Sequence, residues 1–181
     1  NGELVENNSF GNGSAMRVAP VGWASRTLDE ALELARASAH YTHGHPEGVK
    51  GAQIIASAVF TLRQGASNDE LKNYLETAFG CDLSTPLAQI MARGYAFSAT
   101  CQGSVPQAVR CFLESSSYED AIVKALMLNG DTDTQADMAG ALAQVRFGVP
   151  ETMRAAALAA MDEQMKAVLL AFEARFMDGA P

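Results

Sequence analysis

Two segments of this sequence combine residue types and spacing that could support chemistry, and the first is a glycine-bracketed turn. Residues 10–17 read Phe-Gly-Asn-Gly-Ser-Ala-Met-Arg. The two glycines permit positive φ angles and allow a ligand to approach the backbone closely. Successive N–H groups in such a turn can bind an anion, and Ser14 would add a hydroxyl. An ordinary glycine turn before a helix explains the same residues, so the segment alone leaves both interpretations open.

The second segment is an acidic loop, residues 129–134, which reads Asn-Gly-Asp-Thr-Asp-Thr. Oxygen-bearing side chains at alternating positions before a helix suit a hard cation such as Mg²⁺ or Mn²⁺. An EF-hand is excluded, because Ala136 and Leu142 stand where that loop needs glycine and glutamate. Capping carboxylates at a helix start are the alternative. One cap needs only one acid, so the pair Asp131 and Asp133 keeps the metal interpretation open.

The three histidines of the chain, His40, His43 and His45, lie within six residues of one another. A zinc site is conceivable, but no cysteine is near and the spacing is not a familiar ligand pattern. Exposed or helix-capping histidines are the alternative, and a single ligand-contacting histidine is favoured over a three-histidine metal site. The segment Ser104-Val105-Pro106 could be a turn that lines a pocket before a core helix.

The elements that must position these segments are predicted to be helices. The 181 residues are 48% hydrophobic and 19% charged, which is typical of a globular protein. No stretch alternates apolar and polar residues as a half-buried strand would, and residues 1–25 lack any period. We therefore predict one all-α domain over residues 1–181. Capping signals, proline positions and apolar spacing predict helices over residues 28–40, 46–63, 68–79, from 84, 106–113, 118–129, 133–147, and from 150 to the apolar stripe Met161, Met165, Val168, Phe172 and Phe176.

Charge and composition narrow the expected partners. The formal net charge is −8, and no two of the thirteen Lys and Arg residues are adjacent, so neither nucleic acid nor an anionic membrane is an expected partner. The longest apolar runs are too short to cross a bilayer, and no signal peptide is visible. Three cysteines without metal-type spacing predict reduced thiols and a cytoplasmic location.

Taken in order, these motifs resemble the ADP-ribosylglycohydrolase family. The resemblance covers most of residues 7–150. The Ser-Val-Pro and Cys-Phe-Leu elements look most like the branch of the family that acts on O-linked ADP-ribose and its polymers. The matching segments are residues 7–17, Thr42-His43, Ser104-Val105-Pro106, Cys111-Phe112-Leu113, residues 130–134, and Ala139-Gly140.

The resemblance implies an orthogonal all-α bundle and hydrolysis of the glycosidic bond at ribose C1 of ADP-ribosylated protein, O-acetyl-ADP-ribose or poly(ADP-ribose). It implies a binuclear Mg²⁺ or Mn²⁺ site with Asp131, Asp133 and Thr134 as ligands, the two aspartates being the catalytic residues. The glycine turn would hold the diphosphate. The substrate-binding residues implied by the resemblance are Phe10, Gly11, Asn12, Gly13, Ser14, Met16 and His43.

The sequence also departs from the family. Family members carry an amino-terminal Thr-Asp-Asp metal motif and an acidic catalytic residue, whereas residues 1–10 contain only Glu3 and Glu6 without that context. Because the first residue is Asn1, we expect a chain that is incomplete at its amino terminus relative to the family, with half of the metal ligands missing. The absent segment would have been removed or be supplied by another chain, or this form is inactive.

Two further points follow from the comparison with the family pattern. Asn129 stands where the family usually has glycine, a mild change because asparagine tolerates left-handed backbone. A non-catalytic ADP-ribose-binding or structural protein, like the crystallin-type relatives of the family, remains the alternative function.

Overall fold

The computed structural model describes residues 7–177 and contains helices joined by short loops. Within this range no strand forms, and one isolated bridge pairs Gly11 with Thr100. The all-α prediction is confirmed. The helices are α1 (Gly13–Met16), α2 (Ala19–Ala24), α3 (Leu28–His40), α4 (Pro46–Arg63), α5 (Asn68–Phe79), α6 (Leu87–Ala92), α7 (Cys101–Leu113), α8 (Tyr118–Met127), α9 (Thr132–Phe147), α10 (Glu151–Ala160) and α11 (Glu163–Phe176).

Helix α4 lies at the centre of the fold and contacts α1, α2, α3, α5, α7 and α9. Pro46 occupies its first turn, where the missing N–H costs nothing. The side chain of His45 caps the helix, its Nδ1 accepting from the N–H of Glu47 at 3.1 Å. Apolar side chains cover nearly the whole circumference of α4, including the fully buried Ile55 and Val59. Such a helix is stable only when other helices surround it.

Glycines allow two helices to approach α4 closely. A Cβ at Gly22 of α2 would lie 2.5 Å from the carbonyl oxygen of Ala56. A Cβ at Gly51 of α4 would overlap Cys101 Sγ of α7. Small residues at helix contacts therefore set the distances between α4 and the helices that carry the candidate site.

Local signals predicted several helix ends correctly. Thr27 caps α3, and Ser67 forms a complete capping box with Glu70 at the start of α5. Gly80 ends α5 in the left-handed conformation at φ 63°. Ser117 caps α8 through the N–H of Asp120. These signals are read from the sequence because their partners lie three or four residues away.

Three predictions about helix extent were wrong. Residues 1–25 are not wholly irregular, because α1 and α2 form there. Helix α7 begins at Cys101 and not at Pro106, because Thr100 Oγ1 accepts from the N–H of Gly103 and starts the helix earlier. Ser104-Val105-Pro106 is therefore helical and not a turn, and Pro106 lies inside the helix.

The predicted final helix is two helices. Asp162 interrupts it because its Oδ1 accepts from the N–H of Met165 at 2.7 Å and caps α11. Only part of the apolar stripe of α11 meets the core: Phe172 packs against it, whereas Met165 is 61% exposed and Val168 is 66% exposed. Neither α10 nor α11 contains a buried residue, and Arg154 joins them by two hydrogen bonds to Glu173 at 3.0 and 2.7 Å.

Across residues 7–177, we find no helix with both the length and the apolar character needed to span a bilayer.

Candidate functional site: a glycine turn joined to an acidic loop

The glycine turn, residues 11–14, is fixed against the segment that precedes α7. The N–H of Cys101 donates to the carbonyl of Phe10, and the N–H of Asn12 donates to that of Ala99, both at 2.9 Å. The N–H of Gly11 donates to Ser9 Oγ at 3.1 Å. The first N–H groups of α1, those of Gly13 and Ser14, have no partner within the helix. Of these two residues only Gly13 is partly exposed, so its N–H is the donor that the turn leaves for an anion.

Ser14 is fully buried and anchors the turn to the interior instead of facing a ligand. Its Oγ donates to the carbonyl of Gly48 on α4 at 2.7 Å. Cys101 Sγ donates to the carbonyl of Gly11 at 3.1 Å from the same interior side. The hydroxyl predicted to meet a ligand therefore anchors the turn to α4.

His43 lies over the glycine turn, as the resemblance implied. A Cβ at Gly13 would lie 3.1 Å from His43 Nε2, and one at Gly11 would lie 3.5 Å from the same atom. His43 Nδ1 lies 2.8 Å from Thr42 Oγ1, which also accepts a hydrogen bond from Arg17. Burial, and then the charge of Arg17, lower the pKa of His43 below its ordinary value. The neutral ring is therefore the dominant form near pH 7.

The remaining predicted contact residues lie at the rim of the turn. Phe10 is 45% exposed, and its ring packs against His45 with centroids 5.3 Å apart. Met16 is 40% exposed. His45 caps α4, while His40 packs against the ring of Tyr41. In the described part of the chain no three His, Cys, Asp or Glu residues are grouped to hold a metal.

The acidic loop, residues 129–134, leads directly into α9. Asn129 has a φ of 57°, the left-handed conformation that this residue type was expected to tolerate. Asp131 occupies the N-cap position but makes no capping hydrogen bond with its side chain. Asp133 is exposed in the first turn of α9, and Thr134 is only 6% exposed. The alternative in which both acids are simple caps is not supported, because Asp131 directs its carboxylate elsewhere.

Asn12 joins the glycine turn to the acidic loop. Its Nδ2 donates to Asp131 Oδ2 at 2.6 Å and to Ser104 Oγ at 3.1 Å. Asn12 is 6% exposed, so this side chain is committed to the protein interior and not to a ligand. Ser104 Oγ in turn donates to the carbonyl of Thr100 at 2.7 Å. The Ser-Val-Pro motif was recognised in the sequence, but its hydroxyl had no predicted partner.

The chemistry available at this junction is that of hard oxygen ligands and not of a thiolate. Asp131, Asp133 and Thr134 offer two carboxylates and a hydroxyl at the start of one helix, a donor set that suits Mg²⁺ or Mn²⁺. All three cysteines are buried and unpaired. Burial raises the pKa of Cys111 to about 12 and of Cys81 to about 11, so these thiols stay protonated near pH 7. Glu3 and Glu6, weighed as possible acids, lie outside the described residues.

Comparisons with known proteins decide the family. The ADP-ribosylglycohydrolase family model matches residues 1–178. The chain belongs to the ADP-ribosylglycohydrolase family. It is 31% identical to the human ADP-ribosylhydrolase ARH3 and 30% identical to the mouse protein, in each case over 80% of this chain. A solved structure titled "ADP-ribosylglycohydrolase-related protein complex" superposes with a TM-score of 0.69 at 27% identity over 93% of this chain.

The chain spans about half the length of the curated relatives it matches. The alignments cover 53% of the human ADP-ribosylhydrolase ARH3 and 52% of the mouse protein. The solved structure is covered over 61% of its length. An uncharacterized protein of Archaeoglobus fulgidus is matched in the same way, at 25% identity over 50% of its length. These matches establish the family and the fold of this chain.

Proposed function

We propose that this chain is part of a metal-dependent hydrolase that cleaves the glycosidic bond at ribose C1 of ADP-ribose conjugates. The observation that carries the proposal is the 2.6 Å hydrogen bond from Asn12 Nδ2 to Asp131 Oδ2. It joins an anion-binding turn and an acidic loop that are 119 residues apart in sequence. A ligand with a diphosphate at one end and a ribose at the other matches the two halves of this junction.

The diphosphate would bind at the glycine turn. The N–H of Gly13 has no partner within α1 and would donate to a phosphate oxygen. With the Thr42 hydroxyl donating to His43 Nδ1, the ring proton lies on Nε2, beside Gly11 and Gly13. The exposed ring of Phe10 offers an apolar surface next to the same turn. This arrangement would bind a diphosphate without the cluster of Lys and Arg that the sequence lacks.

The metal ions would bind at the acidic loop. Asp131, Asp133 and Thr134 fit half of a binuclear Mg²⁺ or Mn²⁺ site, and the remaining ligands would come from a segment in the same or another chain. When bound, the ions would orient the ribose hydroxyls and hold the attacking water. The residues of this chain then hold the diphosphate and fix the two carboxylates. We propose a cytoplasmic location on the basis of the unpaired cysteines.

The linkage that is cleaved is proposed to be O-linked, following the resemblance of the Ser-Val-Pro and Cys-Phe-Leu elements to that branch. Ser104, Val105, Cys111 and Phe112 are all buried in α7. They would act by fixing the position of α7 beneath the junction and not by touching the leaving group. The choice between protein, acetyl and polymer substrates would be set by residues beyond these elements.

A non-catalytic ADP-ribose-binding protein is the second candidate. The glycine turn is fully assembled within residues 7–177, whereas the acidic loop offers only two carboxylates. Such a chain could bind the diphosphate portion of ADP-ribose without cleaving a conjugate. The two functions differ in turnover and not in ligand.

The decisive experiment measures ADP-ribose release from an O-linked conjugate with Mg²⁺, using the complete reading frame that contains this chain. The variant Asp131→Ala/Asp133→Ala should lose about 100-fold or more of the rate, because metal coordination supplies several kcal/mol of transition-state stabilisation. The matched control is Asp137→Asn, an acid of α9 outside the loop, which should retain the rate. Equal rates in the double variant and the wild type would refute the assignment.

A calorimetric titration of the wild type with ADP-ribose separates the second candidate from the first. Binding with Mg²⁺ but no release from any conjugate would support the non-catalytic function. No binding at all would refute both, since each depends on the glycine turn.

A further inference from the structure

A second, partly buried polar contact lies against the acidic loop, apart from the one made by Asn12. Tyr95, in the segment that follows α6, donates its hydroxyl to the carbonyl of Gly103 on α7 at 2.6 Å. Gln135, the residue after Thr134, donates its Nε2 to the same Tyr95 oxygen at 2.8 Å. One hydroxyl therefore connects α7 with the first turn of α9.

The acidic loop packs directly onto this pair. A Cβ at Gly130 would overlap Cε1 of Tyr95 and would lie 2.9 Å from Gln135 Oε1. Only glycine at position 130 lets the loop lie this close to both side chains. The backbone N–H of Gln135 also donates to the carbonyl of Asp131 at 2.9 Å. Tyr95 and Gln135 therefore contact the backbone that carries the two carboxylates.

Gln135 is an unusual residue for this position on packing grounds alone. It is fully buried, and its Oε1 has no hydrogen-bond partner among the described residues. An unpaired buried acceptor costs roughly 1–3 kcal/mol, which a leucine of similar size would avoid. A helix that needed only packing at this point would favour an apolar side chain.

We propose that Tyr95 and Gln135 are positioning residues that hold the acidic loop in its metal-binding conformation before a metal arrives. This inference rests on the proposed function, because it assigns the pair a role toward the ligands Asp131, Asp133 and Thr134. Asn12 holds the Asp131 carboxylate, and Tyr95 with Gln135 packs against the loop backbone at Gly130. Removing such outer partners typically weakens metal binding by about 10- to 100-fold.

Two readouts on this chain test the inference, and the first needs no metal. Hydrogen exchange of the amides in residues 129–135 reports how often the loop opens. Tyr95→Phe keeps the ring under Gly130 and deletes the hydroxyl, so we expect exchange in this segment to rise about tenfold. Gln135→Leu deletes the donor at similar size and should raise exchange in the same segment.

The second readout is the affinity for Mn²⁺ alone, measured by electron paramagnetic resonance. We expect both variants to bind Mn²⁺ about tenfold more weakly than the wild type. The matched control is Tyr74→Phe, which deletes a buried tyrosine hydroxyl from α5, outside the site. It should leave both loop exchange and Mn²⁺ affinity unchanged, whatever its effect on melting temperature.

The outcomes separate a positioning role from a general contribution to stability. Unchanged loop exchange in Tyr95→Phe would overturn the inference, as would faster exchange spread evenly over α7 and α9. Faster exchange confined to the loop with unchanged Mn²⁺ affinity would also overturn it. A wild-type chain that binds no Mn²⁺ would count against the metal assignment in the proposed function, and the exchange comparison would still decide whether the pair holds the loop.

Discussion

The glycine turn and the acidic loop, which we propose as the two halves of one site, are held in different ways. The turn is fixed by the packed interior: Ser14 is buried against Gly48, and Gly11 and Asn12 pair with the segment before α7. The loop is held by a few polar side chains, and its Asp133 carboxylate is exposed. The anion-binding turn that we propose is assembled from backbone within the described residues. The metal site that we propose has two carboxylates and one hydroxyl from the acidic loop.

This difference predicts that disturbing the turn costs stability, and the largest effect is expected at Gly48. A Cβ there would lie 2.6 Å from the carbonyl oxygens of both His43 and Ser9, and neither backbone atom can move freely. We expect Gly48→Ala to lower the free energy of unfolding by about 1–3 kcal/mol, measured by urea denaturation, and to weaken ADP-ribose binding.

The control for Gly48→Ala is Gly140→Ala on α9. Its Cβ would lie 2.9 Å from Cδ1 of Ile122, the movable end of a side chain. This variant should cost less than Gly48→Ala. Equal losses in the two variants would show that helix-packing strain, and not the base of the glycine turn, sets the cost.

The second prediction concerns Asn12, the bond between the two halves. Asn12→Ala removes the donor to Asp131 Oδ2. We expect Mn²⁺ affinity to fall about tenfold, as for other outer-shell partners. The free energy of unfolding should fall by about 1 kcal/mol, because one buried hydrogen bond is lost.

Asn68→Ala is the matched control for Asn12, since Asn68 Nδ2 donates to the carbonyl of Leu113 away from the site. It should leave Mn²⁺ affinity unchanged. If Asn12→Ala bound Mn²⁺ as tightly as the wild type, the turn and the loop would be independent sites.

The smallest effect is expected from the titration of His43. Burial and Arg17 hold the pKa of its ring below the ordinary value of 6.5, and a diphosphate beside Nε2 would raise it. His43 should therefore take up protons when ADP-ribose binds. The affinity for ADP-ribose should rise as the pH falls from the pKa of His43 in the complex to its lower pKa in the free protein. We expect a gain of about 3- to 10-fold, since each unit of pKa difference is worth tenfold.

Calorimetry in two buffers of different ionisation enthalpy measures this proton uptake. His43→Gln should abolish it, whereas His45→Gln, at the cap of α4, should retain it. Uptake that persists in His43→Gln would place the titrating group elsewhere.

The sequence predicted those structural features that depend on residues close together in the chain. Thr27, Ser67 and Ser117 were read as caps because each bonds to an amide three residues away. The order of motifs, through the family resemblance, predicted that the glycine turn and the acidic loop belong to one site. The all-α fold followed from the same local patterns.

What the sequence could not predict depends on distant or competing partners. The bond from Asn12 to Asp131 and the contact of Tyr95 with Gln135 join segments whose spacing carries no local signal. Pro106 was read as a helix start because proline suits a first turn, but the Thr100 cap starts the helix at Cys101, five residues earlier. The stripe on α11 had helical spacing, yet periodicity cannot tell which apolar face meets the core.

The exposure of α10 and α11 has a consequence for local unfolding. No residue of either helix is buried, whereas α4 is surrounded on all sides, so the two regions differ in the free energy needed to open them. The Arg154–Glu173 contact lies within the pair and adds nothing to its attachment. Local opening, and hence protease cleavage, would concentrate near Met161 while the glycine turn and acidic loop remained folded.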